Sequence, residues 1–233
     1  MSKISIVIPV FNEAKNLQEL IPYLIKNSSS KNIKEIIIVD GGSTDGTQNI
    51  TKLFTEANLI NSEKGRGIQM NLGAKQAKGN ILYFLHADSY PPKNFDKHIT
   101  ETLNTNTQAG CFKMSFNSLH WWLKLAGWFT QFSWRICRGG DQSLFVTKTL
   151  FETLGGYNEH YKIYEDNHFI NCAYKATNFA VIQKQLTTSA RRYHTKGICY
   201  LQYHYTVIHL KYRLGTSPET LYNYYLKHVS VKN

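Results

Sequence analysis

The chain has 233 residues, 42% of them hydrophobic, which suits one folded domain with a sizeable core and excludes a disordered chain. The net charge of +11 is uneven, with 12 basic against 10 acidic residues up to Gly110 and 15 against 6 beyond it. That excess points the second half toward phosphates, acidic glycans or a lipid surface, and no nucleic-acid-binding motif accompanies it. Ile4 to Val10 is apolar except for Ser5 and Pro9, the pattern of a buried parallel strand. The lead-in Met1-Ser2-Lys3 is too short, and the run behind it too β-branched, for a secretory leader. Asn12 is placed to cap a helix carrying Leu17, Leu20, Ile21, Leu24 and Ile25 at helical spacing. Ile36-Ile37-Ile38-Val39 predicts a second strand ending at Asp40, and Ser43 or Thr44 a cap for a helix with Ile50, Leu53 and Phe54. A short strand near Leu59-Ile60, a helix from Gly67 to Ala77 and a strand Ile81 to Leu85 follow, the last stopping at His86-Ala87-Asp88.

Repeated strand–helix units imply a parallel sheet with helices on both faces. In such sheets ligands bind outside the carboxyl ends of the strands, where Asn12, Asp40 and Asp88 all fall. The second half is less regular. It predicts a strand through Gly110 to Phe116, a Trp-rich helix, a turn at Gly139-Gly140-Asp141-Gln142 and a strand at Ser143 to Val146. A helix over Phe169 to Ala176 follows Glu165-Asp166, a second ends at Gly215, and a last begins at Ser217-Pro218-Glu219 with cap and first-turn proline.

The Trp-rich stretch runs from Leu119 to Arg135, about 25 Å as a helix, with Lys124 near its middle, so a transmembrane span is rejected. A narrow polar stripe on an apolar helix makes a buried core helix the first expectation, and a helix lying on a membrane the second. Cys111, Cys137, Cys172 and Cys199 are far apart and form no CxxC pair, which predicts reduced thiols in a cytoplasmic protein, with the inner membrane face as the second location.

Ser5-Ile6-Val7-Ile8-Pro9-Val10-Phe11-Asn12-Glu13 and Asp40-Gly41-Gly42-Ser43-Thr44-Asp45-Gly46-Thr47 resemble the opening of family 2 glycosyltransferases, which have the GT-A fold. His86-Ala87-Asp88-Ser89 and Thr188-Ser189-Ala190-Arg191-Arg192-Tyr193 are similar to a small, soluble bacterial subgroup. The resemblance implies an α/β fold with a mainly parallel, Rossmann-like sheet and a helical C-terminal part. A donor half would span 1–107, an acceptor and catalytic part 108–195, and C-terminal helices 196–233.

It implies that Pro9, Asn12, Glu13 and Asp40 meet the nucleotide of a nucleotide-diphosphate sugar, UDP type by family habit. Lys64 and Arg66 flank Gly65 at the N-terminus of the helix bearing Asn71, a setting that suits a diphosphate. Most family members carry Asp-x-Asp where His86-Ala87-Asp88 stands here. Asp88 is then the residue for Mg²⁺ or Mn²⁺, since hard cations prefer oxygen, His86 falls to ribose or phosphate, and Ala87 between them is expected at the nucleotide sugar. The resemblance puts the general base on Glu165-Asp166, Asp166 first, for an unknown hydroxyl acceptor that a lipid carrier would suit. Asp141, Gln142 and Trp121 are expected at the acceptor, Arg191 and Arg192 on the diphosphate, and His194 as a further metal ligand.

The family inverts configuration by direct displacement. Without the Gln-x-x-Arg-Trp motif and membrane helices of processive members, single sugar additions are expected. A decayed nucleotide- or lipid-binding adaptor of the same fold is the alternative, with His86 in its favour and the intact Asp88 and Glu165-Asp166 against it. A nucleotidyltransferase would need a Gly-rich basic loop after the first strand, and a dehydrogenase a G-x-G-x-x-G there; Val10-Phe11-Asn12-Glu13 is neither.

Overall fold

A computed structural model describes residues 2–139 and 142–230. Its first part runs β1 (Ile4–Val10), α1 (Ala14–Asn27), β2 (Ile33–Asp40), α2 (Thr47–Lys52), β3 (Ala57–Asn61), α3 (Arg66–Gln76), β4 (Ile81–Phe84), β5 (Ser89–Tyr90) and α4 (Phe95–Thr102). It continues with β6 (Ala109–Phe116), α5 (Trp121–Phe129), a 3-10 turn (Arg135–Cys137), β7 (Leu144–Thr147), α6 (Lys148–Thr153), α7 (Glu165–Ala176) and β8 (Phe179–Thr188). Three helices finish it: α8 (Arg191–Lys196), α9 (Ile198–Arg213) and α10 (Pro218–His228).

The strands form one eight-stranded sheet in the order β3-β2-β1-β4-β7-β6-β8-β5. β3, β2, β1 and β4 are parallel neighbours, as continuous apolar runs require when both faces are covered. β7 enters antiparallel to β4 and β6, and β8 returns parallel to β6. Alternate residues of β1 feed two cores. Ile4, Ile6, Ile8 and Val10 pack with α1 and with Phe95 and Phe112. Val7 faces the other way, among Met70 and Ala74 of α3 and Phe151, Tyr157 and Phe169. On α1, Leu17, Leu20, Ile21 and Leu24 are fully buried, each worth about 1.5–3 kcal/mol relative to exposure. A third, smaller core joins α9 and α10 through Leu201, Ile208, Leu221 and Val229, with a shell of tyrosines.

Three expectations need correction. The helix caps differ from those predicted after β1 and β2. Asn12 sits at φ 57° and is not the cap of α1; the N-cap is Glu13, and the Ala14 N–H is satisfied across the chain by Asp45 Oδ2 at 3.0 Å. Likewise α2 starts after Gly46, at φ 91°, rather than on a Ser43 or Thr44 cap.

The second correction concerns the Trp-rich helix, which is shorter than 119–135 and is not a core helix. Trp121, Trp122, Trp128 and Trp134 are all exposed, and only Leu123 and Gly127 of α5 are buried. The reason lies at Gly127, where an added Cβ would come within 3.0 Å of the Met114 carbonyl oxygen. The helix therefore meets β6 through Leu123 and Gly127, and an indole in place of Gly127 would have no room on that side.

The third correction is to the helix at Glu165-Asp166. α7 begins on these residues instead of after them, and its N-cap is Tyr164, at φ 69°. Neither carboxylate caps the helix and neither is exposed. Among the described residues no helix is long and apolar enough to cross a membrane.

A candidate donor and acceptor site

The carboxyl ends of β1 and β2 lie side by side, with Val10 paired to Asp40. The loops that follow are stitched together. Asp40 is fully buried; it accepts from the Ser43 N–H and hydroxyl and from Gln48 Nε2, the last at 2.7 Å. Ser43 Oγ in turn accepts from the Asn12 N–H at 2.8 Å, and Asn12 Oδ1 accepts from the Thr44 N–H at 2.8 Å. Asp40 and Asn12 thus shape the rim rather than line the cavities described below. A direct bond from Asp40 to a nucleotide would have to displace one of its present partners.

On the other side of β1, the segment after β4 is fixed by β5. Ser89 pairs with Thr188 of β8, their hydroxyls 3.0 Å apart and buried. That pairing brings Asp88 against the start of α8. Arg191 places its guanidinium 2.6 Å from Glu13 Oε1 and 3.5 Å from Asp88 Oδ2. The hydrogen bond to Glu13 raises the Arg191 pKa, so its charge is permanent. Asn117 secures the same turn by accepting from the Ala190 N–H at 2.8 Å.

These ends enclose a cavity of about 220 Å³ lined by Pro9, Phe11, Glu13, Arg66, Gln69, His86, Ala87, Asp88, Thr188, Arg191, Arg192 and Tyr193, among others. Eight of the residues expected from the sequence to meet a nucleotide sugar meet here: Pro9, Glu13, Arg66, His86, Ala87, Asp88, Arg191 and Arg192. Lys64 stands over the Phe11 ring, 3.6 Å from its centroid, at the edge of a second and larger cleft.

That cleft holds about 770 Å³ and shares Phe11, Arg66, Gln69, Arg192, Tyr193 and Tyr205 with the first. Its walls also include Trp122, Phe129, Gln142, Tyr164 and Asp166. Arg66 is the hinge between the two spaces, 2.7 Å from Glu165 Oε1 and 3.3 Å from Asp166 Oδ2. Glu165 is fully buried and Asp166 nearly so. Behind them Tyr157 is wholly enclosed; burial, then the charges of Asp166 and Glu165, push its phenol well above the ordinary range.

The remaining expected residues are placed elsewhere. Asn71 spends its amide on the chain before α7, donating to the Tyr157 carbonyl at 2.8 Å and accepting from the Tyr157 N–H at 2.9 Å. It lines neither cavity, because a side chain on that face of α3 meets the 157 loop first. His194 is exposed on α8 and lines neither cavity, and no three His, Cys, Asp or Glu side chains converge on a metal position among the described residues. Trp121 points to solvent, and its neighbour Trp122 takes the place on the cleft wall. Gln142 lines the cleft, but its Nε2 is held by the Cys137 carbonyl at 3.1 Å. Asp141 lies outside the described residues.

Gln69 escaped the sequence reading. It is 3% exposed, lines both spaces and donates Nε2 to the carbonyls of Val10 and Val39 at 2.9 and 2.7 Å, bridging the ends of β1 and β2. The signal was a lone amide next to Met70 on the sheet-facing side of α3, a polar residue that needs partners there.

A donor set of one carboxylate and one imidazole does not by itself enclose a cation. Asp88 is open to the cavity, with its side chain 22% exposed, and its carboxylate oxygens would be the donors here to hold a hard cation.

The sequence model of glycosyl transferase family 2 matches residues 5–184. The glycosyltransferase AglE of Haloferax volcanii is 34% identical over 107 residues, covering 43% of this chain and 35% of that protein. A PGL/p-HBAD biosynthesis glycosyltransferase of Mycobacterium bovis is 30% identical over 184 residues, 72% of this chain and 68% of that one. The crystal structure of TarS 1-349 of Staphylococcus aureus in complex with UDP superimposes with a TM-score of 0.69 at 21% identity, covering 81% of this chain and 60% of that one. The chain spans about a third of the length of AglE, and more than half of the TarS chain. The fold is GT-A, and the chain belongs to glycosyl transferase family 2.

Proposed function

We propose that this chain transfers one sugar from a nucleotide-diphosphate donor to a hydroxyl acceptor, with inversion and with the help of a divalent cation. The observation that carries the proposal is the pairing of two spaces across Arg66. One is walled by strand ends, Asp88 and two arginines; the other holds the Asp166 carboxylate. The first suits a diphosphate, because Arg191, Arg192 and Arg66 supply planar, permanent charge to phosphate oxygens. The second suits an acceptor whose hydroxyl must lose a proton as it attacks.

In this reading Pro9, Phe11 and Glu13 form the floor under the nucleotide, and His86 contacts ribose or phosphate. Asp40 and Asn12 act through the rim they hold. Asp88 would hold Mg²⁺ or Mn²⁺, which supplies charge stabilisation to the departing nucleoside diphosphate. Asp166 takes the acceptor proton, and Glu165 anchors Arg66 beside it. Arg66 borders both spaces, so donor phosphates compete with Glu165 and Asp166 for it. Residues 1–107 would supply most of the donor site, 108–195 the base and acceptor wall together with Arg191 and Arg192, and 196–233 the far side of the cleft. UDP is the first nucleotide to test.

The test is thermal unfolding against UDP, GDP, dTDP and CDP, each with and without Mn²⁺, on wild type and Asp88→Ala. A ligand at 100 times its dissociation constant stabilises the folded state by about 2.7 kcal/mol. One nucleotide should raise the melting temperature in the presence of metal, and the shift should vanish in the variant. No shift from any nucleotide would favour an adaptor that has lost its donor site.

A further inference from the structure

α5 and the turn after it expose a cluster of indole and aliphatic side chains. Leu119, Trp121, Leu125, Trp128, Trp134 and Ile136 are all exposed, at 37% to 88%. So many exposed apolar side chains within 18 residues of chain are unusual on a protein that stays in water. Helical spacing divides α5 into three faces. Leu123, Gly127 and Thr130 are buried against β6. Trp122, Ala126 and Phe129 line the 770 Å³ cleft. Trp121, Leu125 and Trp128, at i, i+4 and i+7, face solvent. The rings continue beyond the helix, Trp128 against Phe132 at 5.0 Å and Phe132 stacked on Trp134 at 4.8 Å.

Charge identifies what covers this face. From Thr102 to Phe151 the sequence contains one acidic residue, Asp141, against Lys113, Lys124, Arg135, Arg138 and Lys148; of these cations Arg138 is buried and Lys148 donates to the Ala77 carbonyl. Lys124 is exposed on α5 itself, and Arg135 is exposed in the turn. Indole rings beside exposed cations match the boundary of an anionic bilayer, where the rings sit among headgroups and the cations meet lipid phosphates.

We infer that α5 and the 130–136 turn dock this protein on an anionic bilayer, and that the acceptor is an amphiphile whose alkyl chain lies against Trp122, Ala126 and Phe129. The cleft face of α5 adjoins its solvent face, so a lipid entering beside Trp122 needs no passage through water to reach the cleft that holds Asp166. The acceptor half of this inference rests on the proposed glycosyl transfer; the docking half does not.

The docking test is co-sedimentation with vesicles of 30% phosphatidylglycerol in phosphatidylcholine at low salt, for wild type and the triple variant Trp121→Glu, Leu125→Glu, Trp128→Glu. The three side chains face solvent, so the variant should melt as wild type does and bind nucleotide equally. Wild type should bind, with a blue-shifted tryptophan emission, and the variant should lose at least tenfold in partition. No binding by wild type, equal binding by the variant, or equal binding to neutral vesicles overturns the docking. The acceptor test uses 11-bromoundecanol, a hydroxyl-bearing chain whose bromine quenches tryptophan. It should quench wild type saturably, and Ala126→Glu should abolish the saturable part while keeping vesicle binding. Absence of saturable quenching, or its persistence in Ala126→Glu, overturns the acceptor class. Neither measurement uses donor or turnover, so failure here is distinguishable from failure of the transferase reading.

Discussion

Arg66 donates from Nε to Oε1 of Glu165 at 2.7 Å, joining the first turn of α3 to the first turn of α7 across 99 positions of chain. Glu165 is fully buried, and its Oε2 has no hydrogen-bond partner among the described residues. The pair therefore depends on one guanidinium. Arg66→Met should cost about 2 kcal/mol, below the 3–5 typical of a broken buried pair because Arg66 is itself 37% exposed. For a chain of this size that is roughly 4–8 °C in melting temperature. Adding Glu165→Gln should recover part of the loss, because the uncompensated charge is gone. A double variant no more stable than Arg66→Met would show that the pair's charge is not what matters.

Gly73 makes a second, purely steric prediction. α3 lies so close to the sheet that a Cβ at Gly73 would stand 2.4 Å from Val7 Cγ1 and 3.0 Å from Val39 Cγ2. Both valines are fully buried in mid-strand and cannot step aside. Gly73→Ala should therefore destabilise by about 1–3 kcal/mol, despite the better helix propensity of alanine. Chemical denaturation measures this, and a neutral or stabilised variant would mean that α3 can shift on the sheet.

These two positions also show what could be read from the sequence. β1, β2 and β4 were legible because a parallel strand covered on both faces must be mostly apolar, and Ile4–Val10, Ile36–Val39 and Ile81–Phe84 are, with Ser5 the one small polar exception. β8 was not. Gln183, Lys184 and Gln185 in its middle are exposed, and its register with β6 shifts at Phe112/Lys113, so it carries neither an apolar run nor a clean alternation. The residues after strands were rightly gathered at one sheet edge, but their orientation was beyond the sequence. Asp40 turns into its own loop, whereas Asp88, held by the Ser89–Thr188 pairing, faces the cavity. α5 misled because composition counts apolar side chains and is blind to which of them a glycine contact leaves outside.

The two adjacent carboxylates should separate cleanly in kinetics. Asp166→Asn keeps shape and removes the base, so kcat should fall by about 100- to 10,000-fold with donor affinity little changed. Glu165→Gln leaves the base but loosens Arg66, so the larger change should be in the donor term, through KM. Steady-state rates with varied donor distinguish them. Equal losses in kcat from both substitutions would mean that neither residue alone is the base.

The histidines that hold α9 against α7 predict the acid limit of stability. Tyr164, which precedes Glu165, places its hydroxyl 2.6 Å from His209 Nδ1, and His168 Nδ1 lies 2.9 Å from the Tyr212 hydroxyl. Burial, more than the nearby Arg213 and Lys175, lowers the pKa of His209 and His168 below the ordinary 6.5. Burial also pushes the Tyr164 phenol up to about 12, so it stays protonated and can donate to a neutral imidazole. The folded state thus holds both imidazoles neutral, while the unfolded chain takes up protons near pH 6.5. The stabilisation is complete above that pH and is lost as the pH falls below it, because the unfolded state then binds more protons. Melting temperature should be flat from pH 8 to 7 and decline from about 6.5 toward 5. His168→Gln with His209→Gln should flatten that decline, since glutamine cannot titrate. A decline of unchanged slope in the double variant would assign the acid sensitivity to other groups and leave the Tyr–His pairs as packing contacts alone.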